Sequence, residues 1–92
     1  MNYELEFLPK ALKEWQKLDQ DIKNQFKKKL SKVLENPKIP SNKLRGFENV
    51  YKIKLKTSGY RLAYQVKESE IIVLVLKIGK RDKFYDLLKR MF

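Results

Sequence analysis

The stretch YKIKLKTSGYR, at residues 51–61, places lysines at every second position and then turns through a serine and a glycine. Strict alternation of polar and apolar residues is typical of a strand with one buried face and one open face. Lysine is a poor strand former, and like charges side by side on one face repel each other. Side chains two apart on a strand are roughly 6.5–7 Å apart, a spacing comparable to that of neighbouring phosphates. The pattern therefore indicates a row of cations that can bind a nucleic-acid backbone.

The same stretch predicts a hairpin, with strands at residues 50–56 and 60–66 joined by a tight turn at Ser58 and Gly59. Glycine supplies the positive φ that such turns need. A two-residue loop would pair Lys56 with Arg61, and directly paired residues share a face. The residues predicted to share the open face are Lys52, Lys54, Lys56, Arg61, Ala63 and Gln65. An alternative reading is a face kept soluble by lysines, with Lys56 guarding against edge pairing.

The overall charge favours a polyanionic partner. The chain has 92 residues, a length that predicts one domain over residues 1–92, and its formal net charge is +11. Such a field attracts nucleic acid first and acidic protein segments second. Between Lys43 and Lys67 the only acidic residue is Glu48, whereas a surface tuned only for solubility would mix the two signs.

Composition also excludes several classes of function. The chain contains no cysteine and no histidine, so thiol chemistry is excluded, and the scattered acids suggest no metal site and no cofactor. No apolar run approaches the roughly 20 residues of a membrane span, and the start, MNYELEF, is acidic where a signal peptide would be basic. These features predict a soluble cytoplasmic protein that does not bind membranes.

Apolar periodicity predicts the elements that position the cations. Asp19 is predicted to cap the second helix, and the stripes formed by Leu30 and its neighbours are predicted to be core. The predicted order is a strand at residues 2–7, a helix from residue 9 to a break near 19, a helix ending before residue 37, a loop at 37–49, strands at 50–56, 60–66 and 71–78, and a short helix after residue 79. This β-α-α-β-β-β-α order implies an α+β fold, in which the helices pack on one face of a small, mostly antiparallel four-stranded sheet.

The run NKLRGFENVYKIKLKTSGYRLAYQV, followed by VLVLKIGKRDKFY, resembles the RelE family of bacterial toxins. ALKEWQKL and KKKLSKVLENP fit the same pattern, so the resemblance covers essentially the whole chain. It implies a toxin of a toxin–antitoxin pair that enters the ribosomal A site and cuts messenger RNA there, leaving a 2′,3′-cyclic phosphate and a 5′-hydroxyl. It also implies a RelB-like antitoxin that neutralises the toxin and, together with it, binds operator DNA and represses the operon.

The resemblance implies which residues carry the reaction. The family's active-site lysines fall on Lys52 and Lys54, the arginine of SGYR is Arg61, and the arginine of GKR is Arg81. The family's C-terminal tyrosine often lies further beyond GKR, and the candidate here is Tyr85, for which core packing is the alternative reading. The residues predicted to bind RNA, including Arg45 of LRG, are Lys43, Arg45, Lys56, Lys77 and Lys80.

The chemistry of the implied reaction assigns roles to these groups. Attack of a 2′-hydroxyl on the adjacent phosphate needs proton removal, stabilisation of the phosphorane charge and protonation of the leaving oxygen. Lysine serves as a base only when its pKa is depressed, which neighbouring cations promote. Lys54 or Lys52 is the predicted base and Arg61 the predicted phosphate clamp. Arg81 is predicted to act at the leaving oxygen, and Tyr85 is predicted to stack on a base.

Two other functions remain open from the sequence. The first is a ParE-like toxin that inhibits DNA gyrase without cutting RNA, although such relatives generally lack the lysine pair and the arginines. The second is a non-catalytic RNA- or DNA-binding module, which would bind in a salt-sensitive way without strand scission.

Overall fold

A computed structural model describes residues 2–92, so Met1, the first residue of the predicted domain, lies outside the described residues. The elements, in chain order, are β1 (Glu4–Phe7), α1 (Pro9–Gln16), α2 (Gln20–Glu35), a 3₁₀ turn (Pro40–Asn42), β2 (Val50–Lys54), β3 (Tyr60–Lys67), β4 (Ile72–Lys80) and α3 (Phe84–Lys89). This is the predicted order, and the short 3₁₀ turn interrupts the predicted loop. No helix within residues 2–92 has the length and apolarity needed to cross a membrane.

The four strands form one mixed sheet in the order β1-β4-β3-β2. β1 runs parallel to β4, whereas β4 with β3 and β3 with β2 are antiparallel, so the prediction of a mostly antiparallel sheet is confirmed. β4 contains most of the apolar IIVLVLKI segment and lies between two strands, as the lack of a polar face in that segment predicted.

Hydrophobic clusters cover the two faces of the sheet. The α1–α2 hairpin covers one face, where Phe26 and Leu30 pack against Tyr64 and neighbouring strand residues. α3 differs from the prediction, because it packs on the opposite face and buries Phe84 and Leu88 in the second cluster. The lysines of β2 project from this second face. The C-terminal helix therefore lies on the same side of the sheet as the β2 lysines, which is the basic face of the protein.

Local signals fix the helix ends near the predicted positions. Pro9 begins α1, where its missing N–H is harmless, and α2 ends before Pro37, because a residue preceding proline avoids helical geometry. Asp19 occupies the N-cap position of α2, but its side chain makes no capping hydrogen bond. Tyr64 donates a hydrogen bond of 2.8 Å to the carbonyl of Pro37. This bond ties the end of the helical hairpin to the centre of the sheet.

The observed register of the β2–β3 hairpin differs from the predicted one. Lys54, not Lys56, pairs with Arg61, and β2 ends at Lys54. The N–H of Gly59 donates to the carbonyl of Leu55 over 3.0 Å, and Gly59 has a φ of 77°. This wider turn buries the Leu55 side chain and lifts Lys56 into solvent, so a third lysine is not crowded beside Arg61. The shift is two residues, an even number, so every other side chain keeps its predicted face.

Candidate active site on the basic face

The lysines of β2 lie at the outer edge of the sheet. Lys52 is half-buried opposite Ala63, and Lys54 is exposed. Together with lysines of α2 they border a cavity of about 410 Å³ that runs along the open side of β2. Its cationic lining residues are Lys29, Lys32, Lys52, Lys54 and Lys56. No carboxylate lines this cavity, so its charges are free to bind an anion such as a phosphodiester.

Arg61 lies next to this row and is the most unusual of the cations. It pairs directly with Lys54, which places their Cβ atoms about 4.5–5.5 Å apart. Only 7% of Arg61 is exposed, whereas the sequence predicted an open position. Within residues 2–92 its Nε has no hydrogen-bond partner, and Arg61 takes part in neither ion pair. A buried guanidinium in this state is a strong binding group for an anion that approaches from the open side.

Tyr85, from α3, covers Arg61. The Cζ atom of Arg61 lies 5.6 Å from the centroid of the Tyr85 ring, which is within cation–π range. Phe84 meets the same ring edge-on at 5.2 Å and anchors the helix in the second cluster. The shorter spacing between GKR and the tyrosine therefore still brings Tyr85 to Arg61. The burial of Arg61 also has its cause here, since α3 lies over it.

Arg81 lies where β4 passes into α3. Arg61 pairs with Gly79 of β4, two residues before Arg81, so both arginines lie at the same end of the sheet. Arg81 is exposed, and its carbonyl accepts a hydrogen bond of 3.3 Å from the N–H of Phe84. Lys83, in the left-handed region with a φ of 59°, turns the chain into α3. This turn is what allows Tyr85 to fold back over the basic face.

The remaining predicted RNA-binding residues divide into two groups. Lys43 and Arg45 are exposed in the loop before β2, on the flank that carries the lysine row. Lys80 lies instead over the ring of Tyr60, 5.4 Å from its centroid, and Tyr60 packs against the cluster on the opposite face. Lys77, opposite Ala63 on the face of the lysine row, is engaged through its Nζ in a 2.8 Å ion pair with Glu14 of α1.

Glu14 explains why Lys77 is held there. β1 pairs with β4 only as far as Val75, so the next stretch of β4 has no neighbouring strand on that side. The carboxylate of Glu14 fills part of this gap, accepting a hydrogen bond of 3.0 Å from the backbone N–H of Ile78 and one from Lys77. This pairing joins residues 63 positions apart in sequence, which local patterns do not reveal.

Lys29 and Lys32 were not among the residues predicted for the site. Both belong to α2 and line the cavity beside Lys52 and Lys54. Their spacing of three places them on one side of the helix, next to the buried stripe of Leu30 and Val33. That adjacency to the core-facing side was the available signal that they would approach the sheet.

The assembled group can bind and polarise a phosphate, but it contains no conventional acid–base pair. Arg61 is the strand partner of Lys54 and lies against the ring of Tyr85, and Arg81 follows just beyond the end of β4. Within residues 2–92 there is also no cluster of three potential metal ligands. The arrangement supplies cations that can stabilise a phosphorane and a ring on which a base can stack.

Sequence comparison finds a family model and curated proteins that match this chain. Residues 5–85 match the family model described as the ParE toxin of the type II toxin–antitoxin system parDE. The mRNA interferase toxin RelE of Escherichia coli K12 is 53% identical over 83 residues, covering 90% of this chain and 87% of the relative. An mRNA interferase RelE of Shigella flexneri shows the same identity and coverage.

Solved structures agree with the sequence comparison. The toxin in the intact E. coli RelBE toxin–antitoxin complex aligns with a TM-score of 0.85 at 52% identity, over 87% of this chain and 98% of that chain. A mutant E. coli RelE in the free state aligns with a TM-score of 0.89 at 48% identity, over 100% of both chains.

Proposed function

Because the chain belongs to the RelE/ParE family of toxins from type II toxin–antitoxin systems, we propose that it is an mRNA interferase that cleaves messages in the ribosomal A site. The reaction is attack of a 2′-hydroxyl on the adjacent phosphate, which leaves a 2′,3′-cyclic phosphate and a 5′-hydroxyl. Its consequence is inhibition of translation, and its place of action is the cytoplasm.

The observation that carries this proposal is the state of Arg61. A buried polar group without a hydrogen-bond partner destabilises a fold by about 1–3 kcal/mol, and a role in ligand binding is one reason why a chain retains such a group. Arg61 is 7% exposed with its Nε unpartnered, and it directly pairs with Lys54. An anion completes this group electrostatically, and the phosphorane carries more negative charge than the ground-state phosphodiester. Arg61 therefore fits the role of the phosphate clamp.

The neighbouring side chains support the other steps of the reaction. Lys54 is the exposed amine beside the clamp and is the proposed base, with Lys52 as the adjacent alternative. Arg81 acts at the leaving oxygen from the end of β4. Tyr85, whose ring already lies against Arg61, stacks on a base of the message when RNA enters.

The ribosome supplies what this group lacks. Cations that bind ground state and transition state equally well gain no rate in the chemical step. In-line alignment of the 2′-hydroxyl with the leaving oxygen contributes roughly 7–11 kcal/mol in favourable cases. A ribosome that grips the message can impose that alignment while lysines of α2 such as Lys29 and Lys32 contact ribosomal RNA.

A side-by-side digest of one message tests the proposal. The message is presented free and in a programmed ribosome with an empty A site, and 5′-hydroxyl ends are mapped. We expect cleavage in the ribosomal sample only, and its loss in Arg61→Met. Equal cleavage of both samples would refute the ribosome requirement. Absence of cleavage in both would favour the gyrase-inhibitor or binding-module alternatives.

The charge of the surface also supports the proposed partner. A +11 chain with a carboxylate-free lysine cavity suits an acidic, RelB-like antitoxin. In this proposal the antitoxin covers the basic face, and operator DNA is bound only through the antitoxin. Pull-down of the co-expressed product of the neighbouring gene, by the unchanged protein and by a Lys52→Gln, Lys54→Gln double variant, measures how far antitoxin binding depends on these charges.

A further inference from the structure

A second concave surface lies in the loop before β2, away from Arg61. It encloses about 500 Å³ and is lined by Pro40, Lys43, Leu44, Arg45, Gly46 and Phe47. None of these residues is acidic, and Lys43 and Arg45 are exposed. Leu44 anchors the loop, because its buried side chain joins the second cluster and its N–H donates 2.9 Å to the carbonyl of Val50. The cavity therefore has a fixed backbone and is flanked by two exposed cations, Lys43 and Arg45.

Two aromatic rings complete this surface. Phe47 is half-buried against the second cluster, and its ring meets that of Phe92 edge-on, with centroids 5.3 Å apart and planes at 61°. Phe92 is 64% exposed, the largest exposure among the large hydrophobic residues described. A pair of accessible rings flanked by cations is the combination with which proteins bind unpaired nucleotides, through stacking and phosphate contacts.

The rings of Phe47 and Phe92 lie where a single RNA strand bound at Arg61 would pass if it followed β2. β2 carries Lys54 opposite Arg61 at one end and Val50 opposite Gln65 at the other. Four strand residues span about 13 Å, which is the length of about four stacked nucleotides at about 3.4 Å each. α3 runs over the same face, with Tyr85 over Arg61 near its start and Phe92 beside Phe47 just beyond its end.

From these observations we infer that Phe47 and Phe92, with Lys43 and Arg45, form a nucleobase subsite separate from the cleavage group. It stacks one unpaired base of the RNA that the cleavage group holds, a few nucleotides from the cut. An acidic peptide would satisfy the two cations but would leave both rings without a planar partner. The identification of the nucleic acid as RNA rests on the proposed function.

The test uses a short single-stranded RNA with 2-aminopurine at successive positions, mixed with the intact protein in the absence of ribosomes. Stacking on a ring quenches the probe. We expect quenching at one position of the RNA. In Phe47→Leu this quenching should disappear and the affinity should fall by about five- to 100-fold, because stacking contributes substantially to binding for each base. Phe47→Tyr keeps the ring and should keep both. Phe92→Leu tests the second ring with little effect on stability, because Phe92 is 64% exposed.

Two further measurements separate stacking from other causes. The slope of affinity against salt should be unchanged in Phe47→Leu and reduced in a Lys43→Gln, Arg45→Gln double variant, since only the latter removes phosphate contacts. Unchanged affinity and quenching in Phe47→Leu and Phe92→Leu would overturn the inference. Equal losses in Phe47→Leu and Phe47→Tyr would also overturn it, since they would indicate a packing role. Competition by polyglutamate that depends on the Phe47 ring would assign the surface to a protein partner instead and would likewise overturn it.

The two proposals fail in distinguishable ways. Ribosomal cleavage with ring-independent RNA binding would reject the subsite and leave the proposed function standing. Ring-dependent quenching without ribosomal cleavage would support the subsite and reject the proposed function.

Discussion

Replacing Arg61 with methionine should remove activity and leave the fold at least as stable. The substitution deletes a buried guanidinium whose Nε has no partner, within residues 2–92, and this relieves about 1–3 kcal/mol of desolvation penalty. It also deletes the cation–π contact with Tyr85, which contributes about 0.5–2 kcal/mol. A methionine sulfur against the same ring recovers about 0.3–1.5 kcal/mol. Taken at the middle of each range, the balance is a gain of about 1–2 kcal/mol in the free energy of unfolding.

The effect on catalysis should be much larger. Removing one donor that stabilises transition-state charge typically lowers the rate by about 10²–10³-fold. The assay pairs single-turnover cleavage on programmed ribosomes with urea denaturation, in which a gain of about 1 kcal/mol raises the midpoint by about 0.3–1 M. Lys67→Met is the matched control, since Lys67 is an exposed cation on the same strand, away from the cleavage group. It should leave both quantities nearly unchanged.

Two results would refute this reasoning. A loss of more than about 1 kcal/mol in Arg61→Met would mean that the guanidinium stabilises the folded chain. Cleavage equal to that of the unchanged protein would mean that Arg61 is not the clamp, whatever its effect on stability.

Three other substitutions probe the site and the core. Lys54→Gln should reduce ribosomal cleavage at least tenfold while changing the free energy of unfolding by less than about 0.5 kcal/mol, because the side chain is exposed; unchanged cleavage would remove Lys54 from the site. Leu30→Ala should lower the free energy of unfolding by about 2–5 kcal/mol, measured in urea, because Leu30 is 3% exposed in the main cluster; a loss below about 1 kcal/mol would contradict the packing. Tyr64→Phe should lower it by about 1 kcal/mol at neutral pH through loss of the bond to Pro37. Burial raises the pKa of Tyr64, with Tyr51 adding to the effect, so the Tyr64 contribution is present below the unfolded pKa of about 10 and declines above it. The variant should therefore lose less stability than the unchanged protein between pH 9 and 11, and parallel curves would contradict this.

Local patterns predicted most of the fold because each element carries its own signal. Alternation in NYELEF and YKIKL marked edge or half-covered strands, and the unbroken apolar run of β4 marked an interior one. The hairpin register was wrong by two residues, since sequence alone does not distinguish a two-residue loop at Ser58 and Gly59 from the wider turn at residues 55–59. Apart from Lys56, which lies beyond the end of β2, the hairpin side chains still occupy their predicted faces, because strand faces repeat every two residues.

The parts of the site that were missed depend on contacts between distant segments. The burial of Arg61 requires α3 to cross the second face, and nothing within SGYR indicates that covering. The ion pair that engages Lys77 requires Glu14, which lies in α1 beside the unpaired edge of β4. The lysines of α2 reach the site only because the helical hairpin packs beside β2.

The distribution of stability across the sheet explains how the chain tolerates this concentration of charge. The face under the α1–α2 hairpin carries the larger cluster, with side chains such as Phe26 and Tyr64 fully buried. Burial of apolar surface there offsets the repulsion between Lys54 and Arg61 on the other face, where the cluster is smaller. The second face then needs only enough packing from Phe84 and Leu88 to hold α3 in place. A preorganised cation whose Nε has no partner within residues 2–92 therefore persists in the folded chain, and under the proposed function the message supplies its anion.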